Sequence, residues 1–270
     1  MKKILLSVIV AVSLTTFDLM AKEISSYESA TFKNISEVKS ALDRNGLTVV
    51  GEYDTMQNPN YHVIAYTCPT MLKNASKENR AFAAVQKVLI NTKNKELVLT
   101  NPEYFLHAFM QNDFQESDAQ KINKKLSSAF GELKGSKDSL DQDDIAQYHF
   151  MMGMPYYEDM IKVAKGENLA QKLERNAAKN IIFKIQTGDA ILYGIAMPTE
   201  KGEKYYIPEI EGQRNTAFLP YMLMIEEDEA KILHPKYYLA IAYPNLSMGN
   251  FMSISATPGD IEEYMAGLFK

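Results

Sequence analysis

Polar and apolar positions alternate along this chain with two different periods, and the switches between them mark its elements. Within "ISEVKSALDRNG", Ile35, Val38 and Leu42 share one face of a 3.6-residue period, with Ser36 as the candidate N-cap and Gly46 as the stop. "LTVVGEYD" and "YHVIAYTC" alternate with the two-residue period of strands, and the turn-rich "TMQNPN" separates them. "AVQKVLI" and "ELVLT" flank "NTKNK", a hairpin signal. Pro102 then opens an aromatic stretch. Ser117 with Gln120 forms a capping box ahead of a helix over 118–130, in which Ile122, Leu126 and Phe130 lie four apart.

The second half repeats this order. A helix in "ENLAQKLERN" precedes strands "NIIFKIQ" and "AILYGIAM", and an extra extended segment, "YYIPEIE", follows. Strands "YMLMI" and "AKIL" surround "EEDE". A closing helix starts at Thr257-Pro258, with Pro258 in its first turn, Asp260 near the positive helix end and Ile261, Met265 and Leu268 as its apolar stripe. Four short matches tie the halves together. Leu42–Asn45 is answered by Leu173–Asn176, Tyr66–Pro69 by Ile195–Pro198, Ala81-Phe82 by Ala217-Phe218, and Pro102 by Pro235. Their offsets are 131, 129, 136 and 133 residues, in one order, which reads as a diverged tandem duplication.

The expected fold class is therefore α+β: two tandem units of β-α-β(4)-α type, antiparallel sheets with helices on one face, forming a pseudo-symmetric pair. "ESATFK" supplies a leading strand to the first unit. The expected divisions are a signal peptide over 1–21, a first unit over 22–131, a linker with a Met-rich junction over 132–160, and a second unit over 161–270. Pairing two copies buries surface that one unit of this size leaves exposed.

The helix ending "NG", the strands "LTVVGEYD" and "YHVIAYTCP", the segment "NPEYFLHAF" and the strand "LPYMLMI" resemble the bacterial domain-of-unknown-function family 302. "YHFMMGMPYYEDM" and "PNLSMGNFMSI" resemble segments of its longer exported members. The resemblance implies a β-α-β(4)-α unit similar to TATA-binding-protein-like folds. It brings no assigned activity and no site residues, and it does not imply DNA binding.

Composition adds a compartment. Lys2 and Lys3 precede the apolar run Ile4–Leu14, which is 11 residues long. That is too short for a hydrocarbon core of roughly 30 Å but fits a secretory signal. Cleavage is expected after Ala21, with an uncleaved anchor as the alternative because Leu19 is bulkier than usual at such a site. Loss of Lys2, Lys3 and Asp18 leaves 27 basic and 33 acidic residues, net −6 with His neutral. The expectation is a periplasmic or secreted protein, soluble after cleavage, that binds no nucleic acid. A homo-oligomer stays open. Cys68, the single cysteine, ends a strand-like run and reads as a small buried hydrophobe, with a reactive thiol as the alternative.

Catalytic signatures do not organise this sequence: it carries no phosphate-cradling loop, nucleophile elbow, paired CxxC or HExxH. No cofactor is implied. The leading expectation is a non-catalytic ligand-binding or interaction protein whose partner is a small molecule or a protein; the alternative is a hydrolase without a familiar motif. Tyr104, Phe105, His107, Tyr237 and Tyr238 occupy matching aromatic segments and are expected to line a cleft between the units, against a bland reading as core aromatics. "HFMMGM" gathers His149, Met151, Met152 and Met154, soft ligands suited to Cu(I). The favoured expectation for it is structural: a bent junction whose methionines pack between the two units.

Overall fold

The computed structural model describes residues 22–270, so the targeting segment and its cleavage point lie outside the described residues. The chain opens with β1 (Glu23–Ser25) and β2 (Tyr27–Ala30), the latter taking up the anticipated leading strand. The helix α1 (Ile35–Arg44) follows. Its cap is Asn34 rather than Ser36: the Asn34 side chain accepts from the Glu37 N–H and the Glu37 carboxylate accepts from the Asn34 N–H. Gly46, at φ 65°, ends it as expected.

β3 (Thr48–Asp54), β4 (Tyr61–Thr67), α2 (Pro69–Ala75), β5 (Gln86–Asn91), β6 (Glu96–Thr100), α3 (Pro102–Met110) and α4 (Glu116–Phe130) complete the first unit. The aromatic stretch after Pro102 is thus a helix, with Asn101 capping it by accepting from the Glu103 N–H. α4 starts earlier than its sequence signal: Ser117 lies inside the first turn, and Gln115 at the cap position makes no side-chain bond.

β7 (Lys134–Gly135) and β8 (Ser139–Asp141) lie in the expected linker, which is therefore not free chain. β7 extends the first sheet beyond β2, and β8 pairs with β1. The second unit runs β9 (Ile161–Lys165), α5 (Leu169–Ala177), β10 (Ile181–Thr187), β11 (Ala190–Ile195), α6 (Glu203–Glu209), β12 (Tyr221–Glu226), β13 (Glu229–Ile232), α7 (Pro235–Ala242), α8 (Met248–Ser253) and α9 (Thr257–Gly267). α6 replaces the extended segment expected at "YYIPEIE". Glu203, Tyr206, Ile207 and Ile210 are buried, which is the i, i+3, i+4, i+7 spacing of a helix; the periodicity starts on a buried acid and is hidden from a reading of apolar residues alone.

Both sheets are antiparallel. The first has the order β3-β4-β5-β6-β2-β7 and the second β10-β11-β12-β13-β9, so corresponding strands take corresponding places. The fold class is α+β, as the periodicities indicate.

The sheets meet at their β3 and β10 edges without joining. Each edge strand carries a register shift at the meeting point, between Val49 and Gly51 in one and between Ile181 and Phe183 in the other. Gly51 makes the approach possible: a Cβ there would stand 2.3 Å from the Ile182 carbonyl oxygen. Gly51→Ala is therefore expected to cost about 1–3 kcal/mol, as overpacking against backbone does. Gly259→Ala, in the first turn of α9 where a Cβ meets nothing within 4 Å, should be neutral or stabilise by up to about 1 kcal/mol. Urea unfolding of the two variants beside the parent checks the contrast.

Candidate functional site

The aromatic residues singled out from the sequence lie on the seam between the units, but they close it. α3 and α7 pack together, and each donates to the other from the same helical position. The third residue of α3, Tyr104, donates its hydroxyl to the carbonyl of Ile241, the seventh residue of α7, at 2.9 Å. The third residue of α7, Tyr237, donates to the carbonyl of Ala108, the seventh of α3, at 3.3 Å. The last four carbonyls of a helix have no partner within it, and the Tyr104 hydroxyl serves that of Ile241, whereas Ala108 accepts from the Gln111 side-chain amide as well as from Tyr237. Tyr27 serves Ala242 in the same way at 2.9 Å.

Phe105 packs edge-on to Tyr104 and Tyr27, and the Tyr238 hydroxyl donates to the Phe218 carbonyl. These aromatics are buried, and burial pushes the Tyr104 and Tyr237 hydroxyls well above 10, so they stay donors. His107 points elsewhere: its ring stacks on Phe114 at 4.3 Å, and burial lowers its pKa. Four of the five, Tyr104, Phe105, Tyr237 and Tyr238, are buried, and of these Tyr104 and Tyr237 bond across the seam. Tyr104→Phe leaves a buried carbonyl unserved and should lower stability by about 1–3 kcal/mol. Tyr237→Phe, removing the longer bond, should cost less in the same denaturation series.

Three buried charged residues on the seam, Glu203, Lys87 and Glu226, escaped the sequence reading, the last accepting from the Asn79 N–H at 3.2 Å. Glu203 reaches from α6 into the first unit, accepting from the Tyr53 hydroxyl, the Thr55 hydroxyl and the Met56 N–H, each at 3.1 Å, and from the Met197 N–H at 3.4 Å. Burial pushes its carboxyl up while these four donors oppose the shift. It borders a cavity of about 40 Å³ between the units, lined also by Met56, Ala196, Pro198 and Lys204, with room for a few waters. With two donors on each oxygen, Glu203 is a clasp and keeps no lone pair for a substrate. Nothing in "KGEKYYIPE" advertises this, because the acid stands in a charged run.

Lys87 was more legible, as one charge inside the apolar run "AVQKVLI". Its ammonium group is buried against the Phe218 carbonyl at 3.0 Å and the Met222 sulfur at 3.5 Å, and burial pulls its pKa down to about 7. The folded state releases a proton that the unfolded chain holds up to the ordinary lysine value of 10.5, so stability should rise with pH between those two values. Lys87→Met removes the dependence. Its advantage over the parent should be largest near pH 7 and shrink by roughly 2–4 kcal/mol towards pH 10 in urea titrations.

The Met-rich segment behaves in the opposite way from the seam. The Met154 N–H donates to the Met151 carbonyl at 2.9 Å, and Gly153 sits at φ 84°, so Met151–Met154 is a tight turn. Met152 stands at its tip, 94% exposed, and Met151 is 45% exposed. The expected packing of these methionines between the units does not occur, because a turn this tight cannot bury successive side chains. The segment is held instead by its aromatics. Tyr157 is buried among Phe82, Phe109 and Tyr237 of both units, and its hydroxyl donates to the Asn79 carbonyl.

Phe150 stacks on Phe251 of α8, with ring centroids 4.9 Å apart and 24° between planes. That stack brings the turn beside α8, which exposes Met248 and Met252 at i, i+4 on one helical face, 41% and 60% open. His149 leans on Tyr156 at 4.4 Å, and Tyr156 is itself exposed. Six large apolar side chains are exposed among the described residues, and five of them (Met151, Met152, Tyr156, Met248 and Met252) lie on these two linked segments. No group of three or more His, Cys, Asp or Glu placed to hold a metal occurs among the described residues, a statement that leaves thioethers aside. Cys68 is free and buried.

Compared with known proteins, the chain matches no family model, no curated protein and no solved structure. No helix among the described residues is long and apolar enough to cross a membrane.

Proposed function

We propose that this chain is an exported, non-catalytic interaction protein that docks a partner on the methionine and aromatic surface built from residues 148–156 and α8. The observation that carries the reading is the gathering of exposed thioethers and Tyr156 around the Phe150–Phe251 stack. Contiguous apolar surface of this kind marks interaction sites, and methionine, unbranched and polarisable, adapts to varied partners. The seam supports the reading from the other side, since Glu203 and the seam tyrosines are spent on bonds within the molecule. The cell envelope is the proposed location, from Lys2, Lys3 and the apolar run after them.

We also propose that the two units descend from one, and that they are distant members of the family 302 pattern. The shared strand order, the register shifts at corresponding places and the reciprocal tyrosine bonds support common descent.

A photo-crosslinking residue placed at Met152 tests the docking reading in living cells. A discrete adduct is expected from Met152 and from Met252, weakened by Met248→Ser and absent from the exposed Glu167. The same adduct from all three positions, or none from the two methionines, would overturn the proposal. Met152→Ser and Met252→Ser should each change folding stability by less than about 0.5 kcal/mol, since open side chains contribute little to the fold. A fall of several kcal/mol would return these methionines to a structural role.

A further inference from the structure

We infer that the partner presents a cationic amphipathic segment to this surface, an inference that rests on the docking reading above. The charge of the two segments carries it. Residues 138–160 include Asp138, Asp141, Asp143, Asp144, Glu158 and Asp159 and not one Lys or Arg. Residues 244–269 include Asp260, Glu262 and Glu263, again with no Lys or Arg. In a chain that carries 29 basic residues, both stretches of sequence that carry the exposed methionines are therefore free of Lys and Arg.

Part of this charge is already answered. Lys201 pairs with Asp260 at 2.8 Å, and Arg80 pairs with Glu158 at 3.1 Å. Lys137 lies close by, its carbonyl accepting from Asn245 just ahead of α8. Asp141, Asp143, Asp144, Asp159 and Glu262 make no ion pair among the described residues. Asp159 is fixed at the patch itself, since its carboxylate accepts from the Tyr156 N–H at 2.9 Å.

A group of exposed thioethers with the Asp159 carboxylate beside Tyr156 and Asp138 beside Asn250 of α8 is complementary to a helix or strand whose one face is apolar and whose flanks carry Lys or Arg. The same carboxylates repel an anionic lipid surface, which disfavours the membrane as the occupant. The apolar contact supplies affinity, and the carboxylates supply orientation and rate, in a manner that salt screens.

Two synthetic peptides with one leucine face test this, one bearing lysines on its polar face and its twin bearing glutamates, each titrated against the purified protein by fluorescence anisotropy. The lysine peptide should bind at least about tenfold tighter than its twin at low salt and lose about tenfold or more in affinity when the Debye length is cut to about 3 Å. The Met152→Ser, Met252→Ser double variant should abolish that binding. Tyr205→Ser, on α6 and outside both segments, should leave it intact. Equal binding of the two peptides would overturn the cationic partner while leaving an apolar docking surface standing. Binding that survives the double methionine variant would overturn it too. If neither peptide binds, yet Cu(I) set against a competing chelator binds one to one and is lost in the double variant, the surface is a thioether metal site and both readings fall.

Discussion

Two helices in this protein end inside it, and the need to serve their last carbonyls shapes most of what surrounds them. α3 and α7 each finish against the other unit, where water does not reach, and a helix cannot bond its own final acceptors. A hydroxyl from the third position of the facing helix donates in each direction, joined at Ala108 by the Gln111 side-chain amide. The bonds are reciprocal: the third residue of each helix donates to the seventh of the other. Tyrosine suits the task because its ring fills apolar volume while its tip carries a donor. The requirement explains why both helices open with Pro, a polar cap and two aromatics, since only a fixed start places the hydroxyl at a fixed reach.

The edges of the sheets follow from the same pairing. Open strand edges invite association with other chains, and β3 and β10 are the outer strands of their sheets. They face each other, and a bulge in each keeps them from forming one continuous ladder. The far ends of these strands are then held by the helix that follows the second large strand of the other unit. Thr187, ending β10, donates to the Leu72 carbonyl of α2, and Tyr53 and Thr55, ending β3, donate to Glu203 of α6. One clasp uses a helix carbonyl and the other a buried carboxylate, so a shared scaffold carries different chemistry in its two halves.

How much of this was readable in the sequence depends on whether an element shows one face to water. α1, α9 and the edge strands β3 and β10 do, and the helices' stripes (Val38 and Leu42, Ile261 and Met265) announce them, whereas β5 and β12 are buried along their whole length and show only as short apolar runs between turn signals. α3 and α7 are covered nearly all round, with Tyr104, Phe105, Leu106 and Phe109 buried on different sides of one helix, so no stripe stands out. The pairing of Tyr104 with Tyr237 was legible as a correspondence but not as a seal, because sequence cannot say whether matched aromatics flank a gap or fill it. The Met-rich segment misled in the other direction. Its composition is that of a core, and only the turn closed between Met151 and Met154 shows that the side chains have nowhere to go but outward.

That turn also shows how the chain between the two sheets is held. The chain between them is anchored four times: β7 joins the first sheet, β8 pairs with β1, Tyr157 is buried among aromatics from both units, and Phe150 stacks on α8 of the second. The exposed methionines are therefore contributed by the connector and by the second unit together, at a place fixed by contacts with the first. A side chain that bridges moving parts would spend its exposure on adapting to them, whereas here the parts are locked by buried tyrosines and a satisfied carboxylate. A rigid frame costs a partner little in ordering, and flexible thioethers on it lend adaptability without loosening the backbone. Polar groups on the seam therefore serve the fold, while the thioethers of Met151, Met152, Met248 and Met252 stay exposed.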